Sequence, residues 1–384
     1  MPLIAINVLG ASNFLVGLIT TLSFLPNLLL GFHAGAIADR YNRKKIMLLC
    51  QSSSAILLAL IPLFYLLGVL NIGILLLITF LIGCCSLFFQ LSGSSYLPEI
   101  LSRNQLIKGN ANLQLTQGAS QVMGPTIGGM IIQILTAPIA IIVDAFSFLV
   151  SFILILLLPA KNNKKKKHDG DLLSSIKEGV IFTFKHEILR PILISYSVSV
   201  LFIGLFQGIS ILYMTRTLEL SALQIGIVTG FGNIGFLIGA AVSKKLTEKF
   251  GLGNIIIYSL GLIALGFLIV GTANSSSPIP YLILGQFIMS IGVPLYNVNL
   301  ASLRQAITPN GLLGRVNSVS QVFGRGGVPI GSTIGAIIAS VISPRTAVII
   351  AGIGGLLAIL PALKSSVVSI KSISDADNIK YKEG

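Results

Sequence analysis

The sequence predicts an all-helical integral membrane protein whose transmembrane helices form two six-helix bundles. Three observations predict this class. Hydrophobic residues make up 54% of the chain, charged residues make up only 10%, and the mean hydropathy is +0.92, whereas a soluble domain carries roughly 25% charged residues. The apolar residues gather in runs of membrane-spanning length, and the two halves of the chain resemble each other. The longest polar stretch is about 30 residues, which is too short for a soluble enzyme domain.

Eleven apolar runs reach the length of about 20 residues that a helix needs to cross the bilayer core. They lie near residues 13–36, 46–68, 71–92, 111–134, 138–159, 191–213, 223–243, 254–272, 280–301, 315–341 and 345–363. Before them lies only MPLIAINVLGAS, which is too short to cross and lacks the positive region of a signal peptide. We expect this segment to be the outer end of a first helix, truncated because its inner part would precede residue 1.

The lysines and arginines are distributed very unevenly across the predicted membrane. Of the 26 such residues, 23 fall on the side that follows the first complete span, two (Arg216 and Arg345) fall on the other side, and Arg325 falls inside a span. Because Lys and Arg are enriched in cytoplasmic loops, the first side is predicted to be cytoplasmic, with the central loop and the C-terminus on it. The net charge of +14 therefore reflects topology and gives no reason to expect a nucleic-acid partner.

An internal repeat with an offset of 204 residues supports two homologous halves. Gly31 and Gly35 correspond to Gly235 and Gly239, and Pro125 corresponds to Pro329. Parallel repeats joined by a linker are typical of secondary transporters. The predicted organisation is an N-terminal bundle at 1–160, a basic linker with an interfacial helix at 161–190, a C-terminal bundle at 191–363 and a tail at 364–384.

A glycine, acid and base motif follows the first complete span, in the segment GAIADRYNRKK at residues 35–45. An acid at the membrane boundary is unfavourable unless it is paired or lies at a helix start. The segment resembles the loop signature of the major facilitator superfamily. The resemblance implies a cytoplasmic latch between the halves, in which the acid faces the start of helix 11, near Gly314 and Arg315. The latch residues are Gly35, Asp39, Arg40, Arg43 and Lys44.

A second motif, at Gly124, Pro125, Gly128 and Gly129, lies inside a predicted span. Proline frees a backbone carbonyl, and glycines allow a bend or a close helix contact. The motif resembles the antiporter motif of exporters in this superfamily, although Ser120 replaces its upstream glycine. The segment before residue 190 resembles the macrolide-efflux and siderophore-exporter branch, so export is favoured over uptake.

Polar residues inside the spans are the remaining candidates for function. Asp144 and Arg325 are the intramembrane charges; each is either functional or a packing and capping group. The topology of the superfamily places helices 4, 7 and 10 on a central cavity. The resemblance therefore implies a lining that includes Gln90, Tyr196, Gln207, Tyr296 and Asn297.

These features predict a secondary transporter and no enzyme. Phosphate-binding loops are absent, the three cysteines lie in apolar runs without metal-ligand spacing, and no cofactor or metal is expected. The partners expected are a small-molecule substrate, protons and the lipid bilayer, and the protein is expected to be a monomer in the cell membrane. The leading hypothesis is proton-coupled export by alternating access. A lysophospholipid-type carrier and an inactive truncated remnant or membrane scaffold remain open alternatives.

Overall fold

A computed structural model describes residues 1–101, 103–159, 172–309 and 312–372. The structure is 87% helical, and its described part contains no strand. The α-helices are α1 (Pro2–Asn7), α2 (Asn13–Arg40), α3 (Arg43–Leu66), α4 (Ile72–Ile100), α5 (Arg103–Leu135), α6 (Ala137–Leu157), α7 (Leu172–Lys185), α8 (Leu189–Leu212), α9 (Ala222–Phe250), α10 (Leu252–Thr272), α11 (Pro278–Ile307), α12 (Leu313–Arg325), α13 (Gly327–Val341), α14 (Pro344–Leu357) and α15 (Ile359–Leu363). A π-helical turn (Tyr213–Thr217) extends α8, and a 3-10 turn (Ser366–Ser369) follows α15.

Ten of the eleven predicted spans are confirmed as helices long and apolar enough to cross a membrane. They are α2, α3, α4, α6, α8 with its π-helical turn, α9, α10, α11, α12 with α13, and α14 with α15. The remaining run, 111–134, lies within α5, which is 33 residues long. Its many Gln, Asn and Gly residues make α5 less apolar than the other ten helices.

Short polar residues fix where many of these helices begin. The side chain of Asn42 accepts a hydrogen bond from the backbone N–H of Lys45, and that of Ser221 accepts one from Gln224, which bonds back to complete a capping box. Such caps satisfy backbone donors that would otherwise lack a partner. Prolines lie inside several spans, where each removes a backbone donor and favours a bend: Pro26, Pro62, Pro125 and Pro294.

We call the end of the molecule that carries α7 the linker side and the other end the opposite side. The N-terminal helices, α1–α6, contact the C-terminal helices, α8–α15, mainly through two pairs: α2 with α13, and α5 with α9. With the repeat offset of 204 residues, Thr21 of α2 corresponds to position 225 of α9, and Thr333 of α13 corresponds to position 129 of α5. Thr21 contacts Thr333 in one pair, and Gly129 contacts Gly226 in the other, so the two pairs are related by the repeat. The domain boundaries themselves stay a prediction.

Candidate functional site

The crossing of α5 and α9 depends on glycines of the predicted antiporter-type motif. A Cβ atom on Gly129 would lie 2.5 Å from the carbonyl oxygen of Ala222, and one on Gly226 would lie 2.4 Å from that of Pro125. The Thr126 hydroxyl donates a 3.2 Å hydrogen bond to the Gly226 carbonyl. Any side chain at either glycine would therefore push the two helices apart.

The other two glycines of the motif face away from this crossing. A Cβ atom on Gly124 or Gly128 would meet nothing within 4 Å. The structure therefore assigns the close helix contact to Pro125 and Gly129. The motif divides into a packed face and an open face.

The second crossing, of α2 with α13, is joined by hydroxyl groups. Thr21 Oγ1 lies 2.8 Å from Ser332 Oγ and 3.1 Å from Thr333 Oγ1. Thr21 and Ser332 are buried, at 7% and 0% exposure. Towards the opposite side, the Asn13 amide donates to the carbonyl oxygen of Ala339 at 3.1 Å. A buried hydroxyl between packed helices needs a hydrogen-bond partner in the protein. This contact therefore links the two halves.

An arginine joins the halves at the opposite side. Arg216, in the π-helical turn after α8, donates hydrogen bonds to the side-chain oxygen of Asn13 and to the carbonyl oxygen of Ala11. Both acceptors precede or begin α2, so these bonds cross from the C-terminal to the N-terminal helices. Arg345, the other arginine predicted on this side, instead donates to Ala273 within the C-terminal helices.

The contacts between the halves run from the opposite side only to about the middle of each helix. Along α2 they extend from Asn13 to Leu28, which lies against Gly326. Beyond that point a Cβ atom on Gly31 or Gly35 would meet nothing within 4 Å, and residues 112–117 of α5 are exposed. In the described part of the molecule, the halves are therefore joined at the opposite side and separated towards the linker side.

The repeat copy of Gly35 behaves differently. A Cβ atom on Gly239 would lie 2.5 Å from the carbonyl oxygen of Ile291, because α9 packs closely on α11. Ser243, which stands where the first copy has Asp39, accepts a 3.3 Å hydrogen bond from the Asn299 amide of α11. The second copy thus joins two helices within one half.

The latch remains a prediction. The side chains of Asp39 and Arg40 lie outside the described part of the structure. Lys44 Nζ donates to the carbonyl oxygens of Leu156 and Leu158, at 2.9 Å and 2.6 Å, and thereby caps the C-terminus of α6. The backbone of Arg43 begins α3, and its side chain has partners.

Three of the five predicted lining residues come together. Tyr196 of α8 and Tyr296 and Asn297 of α11 line a cavity of about 120 Å³, together with Ser199, Val200, Ile203, Ile263 and Val293. The rings of Tyr196 and Tyr296 are stacked with centroids 5.9 Å apart. Gln90 and Gln207 are exposed and do not line this cavity. The described cavity therefore belongs to the C-terminal helices.

A neighbouring small pocket contains a residue that sequence reasoning missed. Arg304, Tyr196, Thr183, Ser320 and four apolar side chains line it, with α7 forming one wall. The charge distribution of the sequence places Arg304 only among the 23 basic residues of the predicted cytoplasmic side. The sequence signal that could have identified Arg304 is its spacing of eight residues from Tyr296, because this spacing places both residues on one face of a helix.

Of the two predicted intramembrane charges, the structure describes the side chain of Asp144 and not that of Arg325. Asp144 lies on α6 with its side chain exposed, and the Ser147 hydroxyl donates a 2.7 Å bond to the Asp144 backbone carbonyl. The Arg325 side chain lies outside the described part. Asp144 is therefore not among the residues that line the cavity, and the functional roles of both residues stay predictions.

The linker helix α7 packs on α12. Phe182 forms a buried cluster with Leu189 and Val316, and Phe184 contacts Phe323 with ring centroids 5.8 Å apart. Glu178 forms an ion pair with Arg315, the residue expected to face Asp39. Apolar burial provides most of the stabilisation here, because exposed ion pairs contribute only about 0–1 kcal/mol.

His186 stabilises the turn between α7 and α8. Its Nδ1 accepts hydrogen bonds from the backbone N–H groups of Ile188, at 3.1 Å, and Leu189, at 3.5 Å. This ring nitrogen therefore caps α8, whose N-cap residue makes no side-chain bond. Burial lowers the pKa of His186 below its ordinary value of 6.5, and nearby Glu187 opposes that shift.

We expect the turn to weaken as the pH falls below about 6.5. In this range the unfolded segment binds a proton more readily than the folded one, so acid favours unfolding, and protonated Nδ1 no longer accepts. Melting of the purified protein from pH 7.5 to pH 5.5 tests this. His186→Asn keeps a capping oxygen and should flatten the pH dependence, whereas His33→Asn, at an exposed histidine, should not. Equal slopes in both variants would contradict the assignment.

Comparisons with known proteins agree with this architecture. A family model described as "Transmembrane secretion effector" matches residues 5–383. The enterobactin exporter EntS of Escherichia coli O127:H6 is 25% identical over 373 residues, covering 92% of this chain and 84% of that protein. An uncharacterized MFS-type transporter, YkuC of Bacillus subtilis, is 24% identical over 314 residues, covering 78% of this chain and 71% of that protein.

Two solved structures show the same fold. A bacterial homologue of the iron transporter ferroportin, in an inward-facing state, superposes with a TM-score of 0.72 at 18% identity, covering 94% of this chain and 92% of that one. The nucleoside transporter NupG gives a TM-score of 0.74 at 10% identity, with the same coverage. These likenesses confirm the predicted fold class, and all four proteins are described as transporters and not as enzymes.

Proposed function

Because the chain belongs to the transmembrane secretion effector family of the major facilitator superfamily, we propose that it exports an amphipathic small molecule across the cell membrane by proton antiport. The observation that carries this proposal is the asymmetric contact between its halves. The Gly129–Gly226 crossing and the Arg216 bonds join the opposite side, whereas Gly31 and Gly35 face open space towards the linker side. In this state the carrier takes up its cargo from the linker side.

The linker side faces the cytoplasm in this proposal. The support is the distribution of lysines and arginines along the chain, because cytoplasmic loops are enriched in both. A carrier loaded from the cytoplasm and released at the opposite side is an exporter. Alternating access then requires the α5–α9 and α2–α13 crossings to open while the linker side closes.

The proposed cargo is of the macrolide or siderophore type. The cavity beside Tyr196 and Tyr296 combines aromatic rings with the Asn297 amide and the Ser199 hydroxyl, a mixture that suits amphipathic compounds. The similarity to EntS supports a siderophore-like molecule. A lipid carrier would be expected to move lysophospholipid instead.

Transport in proteoliposomes tests this function. The purified chain is reconstituted and offered a panel of macrolides, siderophores and a fluorescent lysophospholipid, with and without an imposed pH gradient. We expect one of the first two classes to move against its gradient only when protons flow the other way, with a protonophore abolishing movement. Movement of the lysophospholipid alone, or transport independent of the pH gradient, would contradict proton-coupled export.

Asp39→Asn is expected to slow transport without removing the protein from the membrane. If Asp39 latches the linker side in the outward-open state, losing its charge shifts the conformational balance against that state. A fall of about fivefold corresponds to the lower end of the usual coupling range. Glu248→Gln, near the end of the repeat copy α9, removes an acid exposed on the same side and is the matched control. Wild-type rates in Asp39→Asn would count against a latch.

A further inference from the structure

Two buried polar atoms on α11 have no hydrogen-bond partner among the described residues. The Nε atom of Arg304 and the hydroxyl oxygen of Tyr296 are buried and make no hydrogen bond in the described structure. Tyr296 is only 3% exposed. Burying such groups without a partner is unfavourable, and more so for a charged group than for a neutral one. Two such atoms on one helix are suited to hydrogen bonding with a bound polar group.

The two groups lie on one face of α11 and meet a third side chain from α8. The Arg304 guanidinium is close enough to the hydroxyls of Tyr196 and Tyr296 for electrostatic interaction. No carboxylate pairs with Arg304 among the residues that the structure describes, in contrast to Arg315, which pairs with Glu178. Within the described residues, the positive charge of Arg304 therefore has no carboxylate partner.

Tyr196 lines two neighbouring spaces of different character. On one side is the small pocket that Arg304 lines, covered by α7 through Thr183. On the other is the cavity of about 120 Å³, which has apolar walls at Val200, Ile203 and Ile263. A positive charge in one space and apolar walls in the other are complementary to an amphipathic anion, which has a charged group and an apolar body.

The geometry points to a binding site for an organic acid. Arg304 holds the carboxylate with its forked N–H donors, the Tyr296 hydroxyl donates to the same group, and the apolar body lies in the larger cavity against Tyr196. This inference rests on the proposed function, because the acid is the exported molecule or a part of it. An inorganic anion such as phosphate shares the charge but has no apolar body to occupy the larger cavity.

Binding to the purified full chain in lipid nanodiscs tests the site without any gradient. Isothermal titration compares benzoate with benzamide, its neutral counterpart, and with inorganic phosphate. We expect benzoate to bind at least about tenfold more tightly than benzamide, and Arg304→Gln to weaken benzoate by at least about tenfold, the usual loss for a hydrogen bond to a charged group. Arg190→Gln, which removes an exposed arginine on the same side, should leave benzoate binding unchanged.

Three results would overturn the assignment: equal binding of benzoate and benzamide, unchanged benzoate binding in Arg304→Gln, or binding of phosphate without benzoate. If Arg304→Gln fails to fold, Tyr296→Phe replaces it, with a severalfold loss of benzoate affinity expected and an unchanged affinity contradicting the site. Retained benzoate binding in a chain that exports nothing would count against the exporter and support the acid site. Export of neutral compounds by a chain that does not bind benzoate would do the reverse.

Discussion

Gly226→Ala and Gly129→Ala are expected to hold the transporter open at the opposite side. The new methyl group would lie about 2.4–2.5 Å from a carbonyl oxygen of the facing helix, well inside the normal contact distance. Because that oxygen belongs to the backbone, relief requires α5 and α9 to separate. Overpacking of this kind is unfavourable by about 1–3 kcal/mol, which corresponds to a roughly 5- to 150-fold shift between the two states.

Spin-label distances measure this shift. Labels at Phe14 of α2 and Val341 of α13, both exposed near the opposite-side ends of their helices, report the separation of the halves after the native cysteines are replaced by serine. We expect a longer distance in Gly226→Ala and Gly129→Ala, together with slower transport, because the cycle cannot return to the state closed at the opposite side.

The same motif supplies the matched controls. Gly124→Ala and Gly128→Ala add the identical methyl group on the same helix, but where nothing lies within 4 Å. Both should leave the label distance unchanged, and their higher helix propensity should make them neutral or slightly stabilising. If all four variants behaved alike, the effect would come from helix propensity or bending, and the packed face of the motif would have no special role.

The three glycines of the motif, Gly124, Gly128 and Gly129, show how much of the site the sequence predicts. Their spacing and resemblance located the motif, but which of them touches α9 depends on the rotation of α5 about its axis. That rotation is set by contacts with a helix nearly a hundred residues later, such as the Thr126 bond to Gly226. A repeat offset can place two helices in equivalent positions without specifying the facing side chains.

The helices themselves were predictable because the bilayer imposes a length on each apolar run. Their polar extensions were not: α4 continues to Ile100, and α5 begins at Arg103, beyond the apolar runs. Hydropathy does not indicate where a helix ends outside the membrane, because helix propensity and capping residues determine that position.

Charged residues were predicted least well, because their roles depend on tertiary partners. The sequence places Arg304 only among the basic residues of the predicted cytoplasmic side, and only the position of α7 over its pocket shows that it is partly enclosed. Arg315 pairs with Glu178, a partner that the sequence pattern does not indicate. Arg216 was read only as an exception to the charge asymmetry, yet it connects the two halves.

Arg216→Gln is expected to weaken closure of the opposite side without unfolding the protein. The change removes two hydrogen bonds from a charged donor, to the side chain of Asn13 and the backbone of Ala11. Because Arg216 is exposed, each bond contributes about 1–1.5 kcal/mol, so the pair contributes about 2–3 kcal/mol, or a roughly 30- to 150-fold preference for the closed state. Asn13→Ala removes the side-chain acceptor of one of these bonds and also the amide that donates to the Ala339 carbonyl, so it tests the Arg216 contact less selectively.

Hydrogen exchange localises the loss, because opening exposes backbone amides that the closed state protects. We expect faster exchange of residues 8–16 and 213–220 in Arg216→Gln. Arg345→Gln removes the other arginine predicted on this side, whose bond to Ala273 stays within the C-terminal helices; it should loosen residues near 273 and leave 8–16 unchanged. Asn13 and Arg216 share one bond, and Asn13→Ala also loses the bond to Ala339, so the double variant should exchange faster than Arg216→Gln alone but by less than the sum of the two single effects. Additive effects, or equal exchange of 8–16 in both arginine variants, would show that Arg216 does not hold the halves together.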